Sequence, residues 1–487
     1  MIGIINNTDV IKYNEIFELT RAFIPDEDLV EAPNYELDKE IYLENNNEQF
    51  LVRTKGISPE PGTFSASEID VNIHRGKEAT SRIAAKRAIY LLLSKVTGKK
   101  LPWGILTGIR PIKIAAALME KGISKHEILY ILANGYFIDA EKAELATRIC
   151  SVQYPFIESF KGKTFSLYIG IPFCPTRCVY CSFPSLSASK YRDKMGIYVN
   201  ALMVELEGIK ELMNGWRLDS VYIGGGTPTS LPKELMRILI EEVYRLFPGS
   251  YELTVEAGRP DTLDEAYLSL LKELKVERIS INPQTMNLRT LKAIGRDHTP
   301  EDIIKTYNLT KELGIRIVNM DIIVGLPGEE LIDIKNTLNE IKKLKPENLT
   351  VHTLSVKKGS KLIEDKESKL TSEADKIGEM LNISRQFAYE MGLEPYYLYR
   401  QKLILGNYEN IGYSKPDNPC RYNIAIMEEK QTIIAAGMGA ISKIYNEMTG
   451  RITRIPNPKD LESYCDRVDE FLAKRHDLIN QVQMHED

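Results

Sequence analysis

Cysteine is scarce, with six in 487 residues, and three of the six crowd into positions 174–181. That distribution excludes a disulfide framework and favours a reduced, cytoplasmic protein with a metal site. Long apolar runs are missing too. No window approaches the roughly 18 uninterrupted apolar residues of a membrane span. The opening MIGIINNTDVIKYNEIF lacks a basic stretch running into an apolar one, so no signal peptide is expected. Neither sign of charge dominates, at 63 basic against 68 acidic residues and a net −5. Nothing therefore calls for nucleic acid or an anionic membrane as partner. No internal repeat or low-complexity tract stands out.

What is present exceeds one ordinary core, and the rhythm of the chain divides it in three. Residues 1–160 mix strands, at 1–5, 49–54 and 71–74, with helices in an α+β accessory domain. Over 77–97 the apolar residues Ile83, Ala84, Ala88, Leu91, Leu92 and Val96 fall at helical spacing, and Gly98 supplies a stop. Further helices are expected at 111–121, 125–134 and 139–153, the last capped by Asp139. No catalytic motif is visible in this region.

From 161 to 360 strand and helix alternate. Apolar strands read at 165–171, 220–223, 252–256, 278–281, 317–324 and 349–354, with amphipathic helices at 191–213, 232–246, 263–274, 300–313 and 329–344. Alternation of this kind builds a parallel sheet, either open and doubly wound or a partial β/α barrel. Both gather chemistry at the C-terminal ends of the strands. The remaining 361–487 read as mostly helical, with helices at 372–391 and 459–474, a loop at 416–419, an apolar segment at 433–444 and a polar tail.

The first of the six strands runs into YIGIPFCPTRCVYCSF, which places Cys174, Cys178 and Cys181 on one short loop. Three thiolates can hold three irons of a cubane cluster and leave the fourth iron open. A structural zinc site wants four closed ligands, and Cys420 or Cys465 could complete one only through folding. Ferredoxin spacing uses two-residue gaps and a fourth cysteine. The second strand ends in Gly224-Gly225-Gly226-Thr227, where glycines allow close backbone approach and exposed N–H groups could meet a carboxylate. Glu256, Gln284 and Asp321 stand at later strand ends.

CxxxCxxC after a β-strand resembles the signature of the radical S-adenosylmethionine (SAM) superfamily. The resemblance implies a [4Fe-4S] cluster on the three cysteines, whose open iron chelates SAM and, on reduction, releases a hydrogen-abstracting 5′-deoxyadenosyl radical. An electron donor such as flavodoxin or ferredoxin is then implied. More narrowly, the order is similar to the oxygen-independent coproporphyrinogen III oxidase (HemN-like) family over about 165–445, as a partial (β/α)6 barrel. Tyr168 lies six residues before the first cysteine, Gln284 and Arg296 stand twelve apart, Asp321 precedes GLPGE, and GMGAIS spans Gly437–Ser442. Members of that family carry a second SAM beside the first. By this correspondence Tyr168, Gly225, Glu256 and Ile441 touch the first. Tyr180, Gly226, Thr227, Gln284, Arg296, Asp321 and Leu354 touch the second.

The stretches GILTGIRPIKIA and YLYRQKLILGNYENIGYSKP resemble the HemZ branch, usually assigned coproporphyrinogen III dehydrogenase activity, which implies a tetrapyrrole substrate in heme biosynthesis. Arg400, Lys402 and Arg421 are candidates for its propionates. A monomer is expected. Two departures keep other readings open. Where HemN-type members carry a fourth cysteine this chain has Phe183, as the heme-chaperone branch (HemW) does. Where that branch holds heme through His-Asn-x-x-Tyr-Trp, this chain reads Tyr422-Asn423-Ile424-Ala425-Ile426-Met427. A heme carrier using Tyr422, or another tetrapyrrole enzyme such as a heme-degrading methyltransferase relative, are the alternatives.

Overall fold

The structure is a computed structural model that describes residues 1–25, 27–32, 37–46, 49–57, 64–67, 77–108, 110–355, 374–400 and 407–483. Two compact units divide it. One comprises 1–151, 365–378 and 398–409, and the other 152–364, 379–397 and 410–487.

In the first unit, β1 (Ile2–Asn7), β2 (Leu29–Glu31), β3 (Glu40–Asn46), β4 (Gln49–Lys55) and β5 (Phe64–Ser67) form one sheet in the order β2-β1-β3-β4-β5. The strands expected at 1–5 and 49–54 are β1 and β4, and the one expected at 71–74 lies outside the described residues. Strand β3 and helix α1 (Tyr13–Phe23) were not apparent from the sequence. Charged residues punctuate β3, but Ile41 and Leu43 are buried at period two. Helices α2 (Lys77–Thr97), α3 (Lys113–Glu120), α4 (Lys125–Tyr130) and α5 (Ala140–Ser159) follow. Asp139 accepts the Glu141 N–H at 2.9 Å, as an N-cap does.

The second unit carries the repeated strand–helix pattern. Six parallel strands, β6 (Thr164–Ile171), β9 (Arg217–Gly225), β10 (Glu252–Gly258), β11 (Arg278–Ile281), β12 (Ile317–Val324) and β13 (Asn348–Thr353), lie side by side in chain order. The short pair β7 (Phe173–Cys174) and β8 (Leu186–Ser187) interrupts the numbering but forms its own two-stranded sheet. Helices α6 (Met195–Leu212), α7 (Lys233–Leu246), α8 (Glu265–Glu273), α9 (Leu288–Ala293), α10 (Pro300–Glu312) and α11 (Leu331–Leu344) connect the strands. A doubly wound sheet reverses its strand order at a switch point. This one advances in a single direction without closing, which is the winding of a partial barrel.

The region expected to be mostly helical adds five strands to that sheet. These are β14 (Glu394–Tyr399), β15 (Asn410–Ser414), β16 (Thr432–Ala436), β17 (Ile441–Tyr445) and β18 (Ile452–Pro456), for eleven in all. Strand β16 pairs in parallel with β6, and β15 runs antiparallel to β13. The apolar segment at 433–444 is therefore a strand, a glycine turn and a second strand. Helices α12 (Ala374–Glu390), α13 (Arg421–Glu428), α14 (Leu461–Asp466) and α15 (Val468–Gln483) complete the chain, the last running into the tail expected to be loose.

One face of the six strands is apolar. Leu167, Ile169, Ile223, Val255, Ile279 and Ile322 are fully buried, each contributing about 1.5–3 kcal/mol by burial. The opposite face is polar, and it makes the site.

Candidate functional site

Strand side chains alternate between faces, so register assigns the second face. Tyr168 pairs with Tyr222, Tyr222 with Thr254, Ser280 with Asn319, and Asp321 with Thr350. Glu256, Asn319, Asp321 and His352 share that face and are only partly covered. Closed barrels fill this position with branched aliphatics, so a polar lining leaves room for a polar ligand. Its floor is sealed at the strands' N-terminal ends. There Arg278 donates to Glu252 at 3.1 Å, to the Asn418 carbonyl at 3.1 Å and to Asn348.

The cysteine loop lies at the other end. Thr227 N–H donates to the Phe173 carbonyl and Gly226 N–H to that of Ile171, both at 2.8 Å. Val179 N–H donates to the Ile294 carbonyl at 3.1 Å, and Arg259 donates to the Thr176 hydroxyl at 2.7 Å. All three thiols are half-buried, and all six cysteines are free. Burial pushes the Cys174 and Cys181 thiols up, and the neighbouring thiols add to it. Binding iron must therefore release protons. Cys420 cannot complete a four-ligand zinc site with them, because it is buried beside Glu252 and Arg278 on the floor. Among the described residues no three Cys, His, Asp or Glu converge to hold a single metal ion. A cubane takes one thiolate per iron, so its ligands need not converge, and three soft donors without a fourth fit it.

The glycine segment corrects an expectation. Its N–H groups from Gly225 to Thr227 are already engaged within the chain. Gly225 N–H serves Glu256, while those of Gly226 and Thr227 hold the cysteine loop. Glycine is required here by contact. A Cβ on Gly226 would stand 2.7 Å from the Phe173 oxygen and 2.9 Å from Cys174 Sγ. Gly225 adds a φ of +111°, in the region that favours glycine.

Glu256 and Asp321 are driven apart electrostatically. Burial, then the Asp321 charge, pushes Glu256 up to about 8, opposed by the Gly225 N–H and Tyr222. Burial also pushes Asp321 up, but the nearby His352 and hydrogen bonds from Asn319 and Thr350 outweigh it and hold Asp321 below the usual range. Asn282 Nδ2 donates to the same carboxylate at 2.8 Å, and His352 Nε2 lies 3.6 Å away. One acid is thus neutral and the other ionised near pH 7.

Gln284 sits at φ +63°, with its N–H on the Asp321 carbonyl at 2.8 Å and its own carbonyl taken by Ile323 N–H at 2.9 Å. Its Oε1 is buried without a partner, and so is Arg296 Nε. Arg296 donates to the Asn282 carbonyl at 2.5 Å and reaches Tyr180 and Cys178. Buried polar atoms are usually paired, so these two beside the cysteine loop are consistent with a ligand there. Strained backbone at the same residue agrees with this.

Of the other expected residues, Ile441 is 45% exposed at the start of β17, while Leu354 is buried, its N–H on the Val324 carbonyl at 2.9 Å. Two propionate candidates are otherwise engaged. Arg400 is buried, donating to the carbonyls of Leu106 at 2.6 Å and Tyr408 at 3.4 Å and to Asn407. Arg421 grips Asp219 through two bonds of 2.9 and 2.6 Å. Lys402 lies outside the described residues. Tyr422 is buried, its ring 4.5 Å from Tyr222 and 6.0 Å from Tyr168. Tyr222, Asn282, Asn319, Thr350 and His352 were not picked out from the sequence, although period-two polarity opposite the apolar face signals Tyr222, Asn319, Thr350 and His352.

Residues 168–341 match the Radical SAM superfamily. Over 403 residues the chain is 43% identical to the oxygen-independent coproporphyrinogen-III oxidase-like protein HemZ of Bacillus subtilis, covering 81% of this chain and 80% of that one. It is 34% identical to the heme chaperone HemW of the same organism over 39% of this chain and 50% of the relative. Among solved structures, coproporphyrinogen III oxidase (HemN) from Escherichia coli shares the fold at a TM-score of 0.51 and 22% identity, covering 66% of this chain and 72% of that one. With the thiol loop and polar mouth in place, the chain belongs to the radical SAM superfamily, whose cofactors are a [4Fe-4S] cluster and SAM, and within it to the HemZ-type, coproporphyrinogen-III oxidase-like branch.

Proposed function

We propose that this protein is a radical SAM oxidoreductase converting coproporphyrinogen III propionates to vinyl groups, as an anaerobic step to protoporphyrinogen IX. Each propionate gives up one hydrogen atom to the SAM-derived radical, one electron to a one-electron acceptor of the iron–sulfur or flavin class, and CO₂. When bound, the cluster and SAM supply the hydrogen-abstracting radical. Cys174, Cys178 and Cys181 would hold the cluster. Tyr168, Gly225, Glu256 and Ile441 would line the first SAM. Tyr180, Gly226, Thr227, Gln284, Arg296, Asp321 and Leu354 would line a second, where the orphaned Gln284 oxygen and Arg296 Nε find partners. Flavodoxin or ferredoxin would supply the separate electron that reduces the cluster for SAM cleavage, to a monomer in the cytoplasm.

The observation that carries this reading over a heme carrier is the burial of Tyr422 in a stack with Tyr222 and Tyr168. A heme ligand must reach iron from an open face, and this residue is mostly buried against two other tyrosines. The test compares heme titration of the protein and of Tyr422→Phe with anaerobic turnover of coproporphyrinogen III. Heme affinity lost in Tyr422→Phe, without turnover in either form, would favour the carrier.

A further inference from the structure

Glu205 of α6 and Arg475 of α15, 270 residues apart, form an ion pair at 2.6 Å, both with no exposed side-chain surface. The pair is the centre of a buried network. Glu205 also accepts from Gly437 N–H at 2.8 Å, the Tyr464 hydroxyl at 2.6 Å and Asn457 Nδ2 at 2.8 Å. Asn457 Nδ2 donates to the Gly437 carbonyl at 2.9 Å as well, and Arg475 donates to Asn457 Oδ1 at 2.5 Å. Both backbone polar groups of Gly437 are therefore held by the network.

The turn so held abuts the first strand. Gly437 has φ +108°, and a Cβ there would lie 2.5 Å from the Gly170 oxygen. Met438 N–H donates to the Tyr198 hydroxyl at 3.1 Å, and that hydroxyl donates to the Gly170 carbonyl. Tyr198 packs edge-on against Phe173, the neighbour of Cys174. Beyond the turn the chain emerges at the exposed Ile441. Helix α15 is seated closely enough for this, since a Cβ on Gly208 of α6 would meet Leu472 at 2.8 Å. A carboxylate so deeply buried is costly unless paired and fully hydrogen-bonded, so removing the cation frees the turn it organises.

We propose that the C-terminal helix is a working part of the SAM site, with Arg475, Glu205 and Asn457 as positioning residues that fix the 437–440 turn against Gly170. This deepens the functional reading above and rests on its placing of Ile441 beside SAM. None of the three touches the cofactor; they act through Gly437.

The test uses the full chain, reconstituted with iron and sulfide, and the paired variant Glu205→Gln/Arg475→Met, which leaves no unpaired buried charge. SAM affinity is read by equilibrium dialysis, and exchange of the Gly437 and Met438 amides by hydrogen exchange. The expected result is roughly tenfold or more weaker SAM binding with faster exchange at the two amides, at unchanged iron content. Affinity within about twofold of the parent, or weakened binding with unchanged exchange, overturns the proposal. If the paired variant does not fold, Tyr464→Phe, which deletes one donor to Glu205, is read the same way with a smaller expected shift. No SAM affinity in the reconstituted parent would overturn the functional reading itself, whereas parental affinity kept by the variant overturns only this inference.

Discussion

Tyr422 lies nearly parallel to Tyr222, with ring centroids 4.5 Å apart and an interplanar angle of 21°. The residue offered by the sequence as a heme ligand is a buried aromatic in a stack. Replacing Tyr422 with alanine should cost about 3–5 kcal/mol of stability, the range for a large buried aromatic. Tyr422→Phe keeps the stack and should stay within about 1 kcal/mol. Urea denaturation checks both, and equal losses would place the hydroxyl rather than the ring in the stabilising role.

Gly226→Ala should spare the fold and damage the cluster. The added methyl would press on the Phe173 oxygen and Cys174 Sγ, so the cysteine loop must shift. Iron and sulfide content after reconstitution should fall well below that of the parent. Full content would show that the loop gives way without loss.

Gln284→Gly should relieve left-handed strain of about 1 kcal/mol, while removing the orphaned oxygen and weakening SAM binding. Thermal unfolding and SAM dialysis read the two effects separately. Loss of stability together with binding would point to a structural role for this side chain.

Glu256 sets a pH dependence of known sign. Its folded value of about 8 lies above the ordinary carboxylate value, so the folded state holds a proton that the unfolded chain has released. Its stabilising contribution is therefore complete below about 4.5 and is lost as pH rises through about 8. Asp321, held low, behaves oppositely, and its contribution fades as pH falls below the ordinary aspartate value. Glu256→Gln should flatten the decline in unfolding midpoint between about pH 5 and 8. An unchanged slope in the variant would contradict the assignment.

The parallel strands were legible because each has an apolar face at period two bounded by a helix, and the cluster loop because three cysteines share one turn. Other features depended on partners distant in sequence. Strand β16 completes its hydrogen bonding on β6, more than 250 residues earlier, and no local pattern announces that pairing. Arg400 and Arg421 looked available because a lone arginine in sequence gives no sign of the Asp219 or Leu106 groups that occupy it. The N–H groups of the glycine segment misled for the same reason. Their acceptors belong to Ile171, Phe173 and Glu256, on neighbouring strands and the cysteine loop.

The most direct test is mass spectrometry of the product formed from coproporphyrinogen III under strict anaerobiosis, with reductant and SAM. The account predicts a divinyl product, with CO₂ and methionine released, and loss of all three in Cys174→Ser, Cys178→Ser and Cys181→Ser. SAM cleavage that leaves every propionate intact would contradict the substrate and leave the family standing.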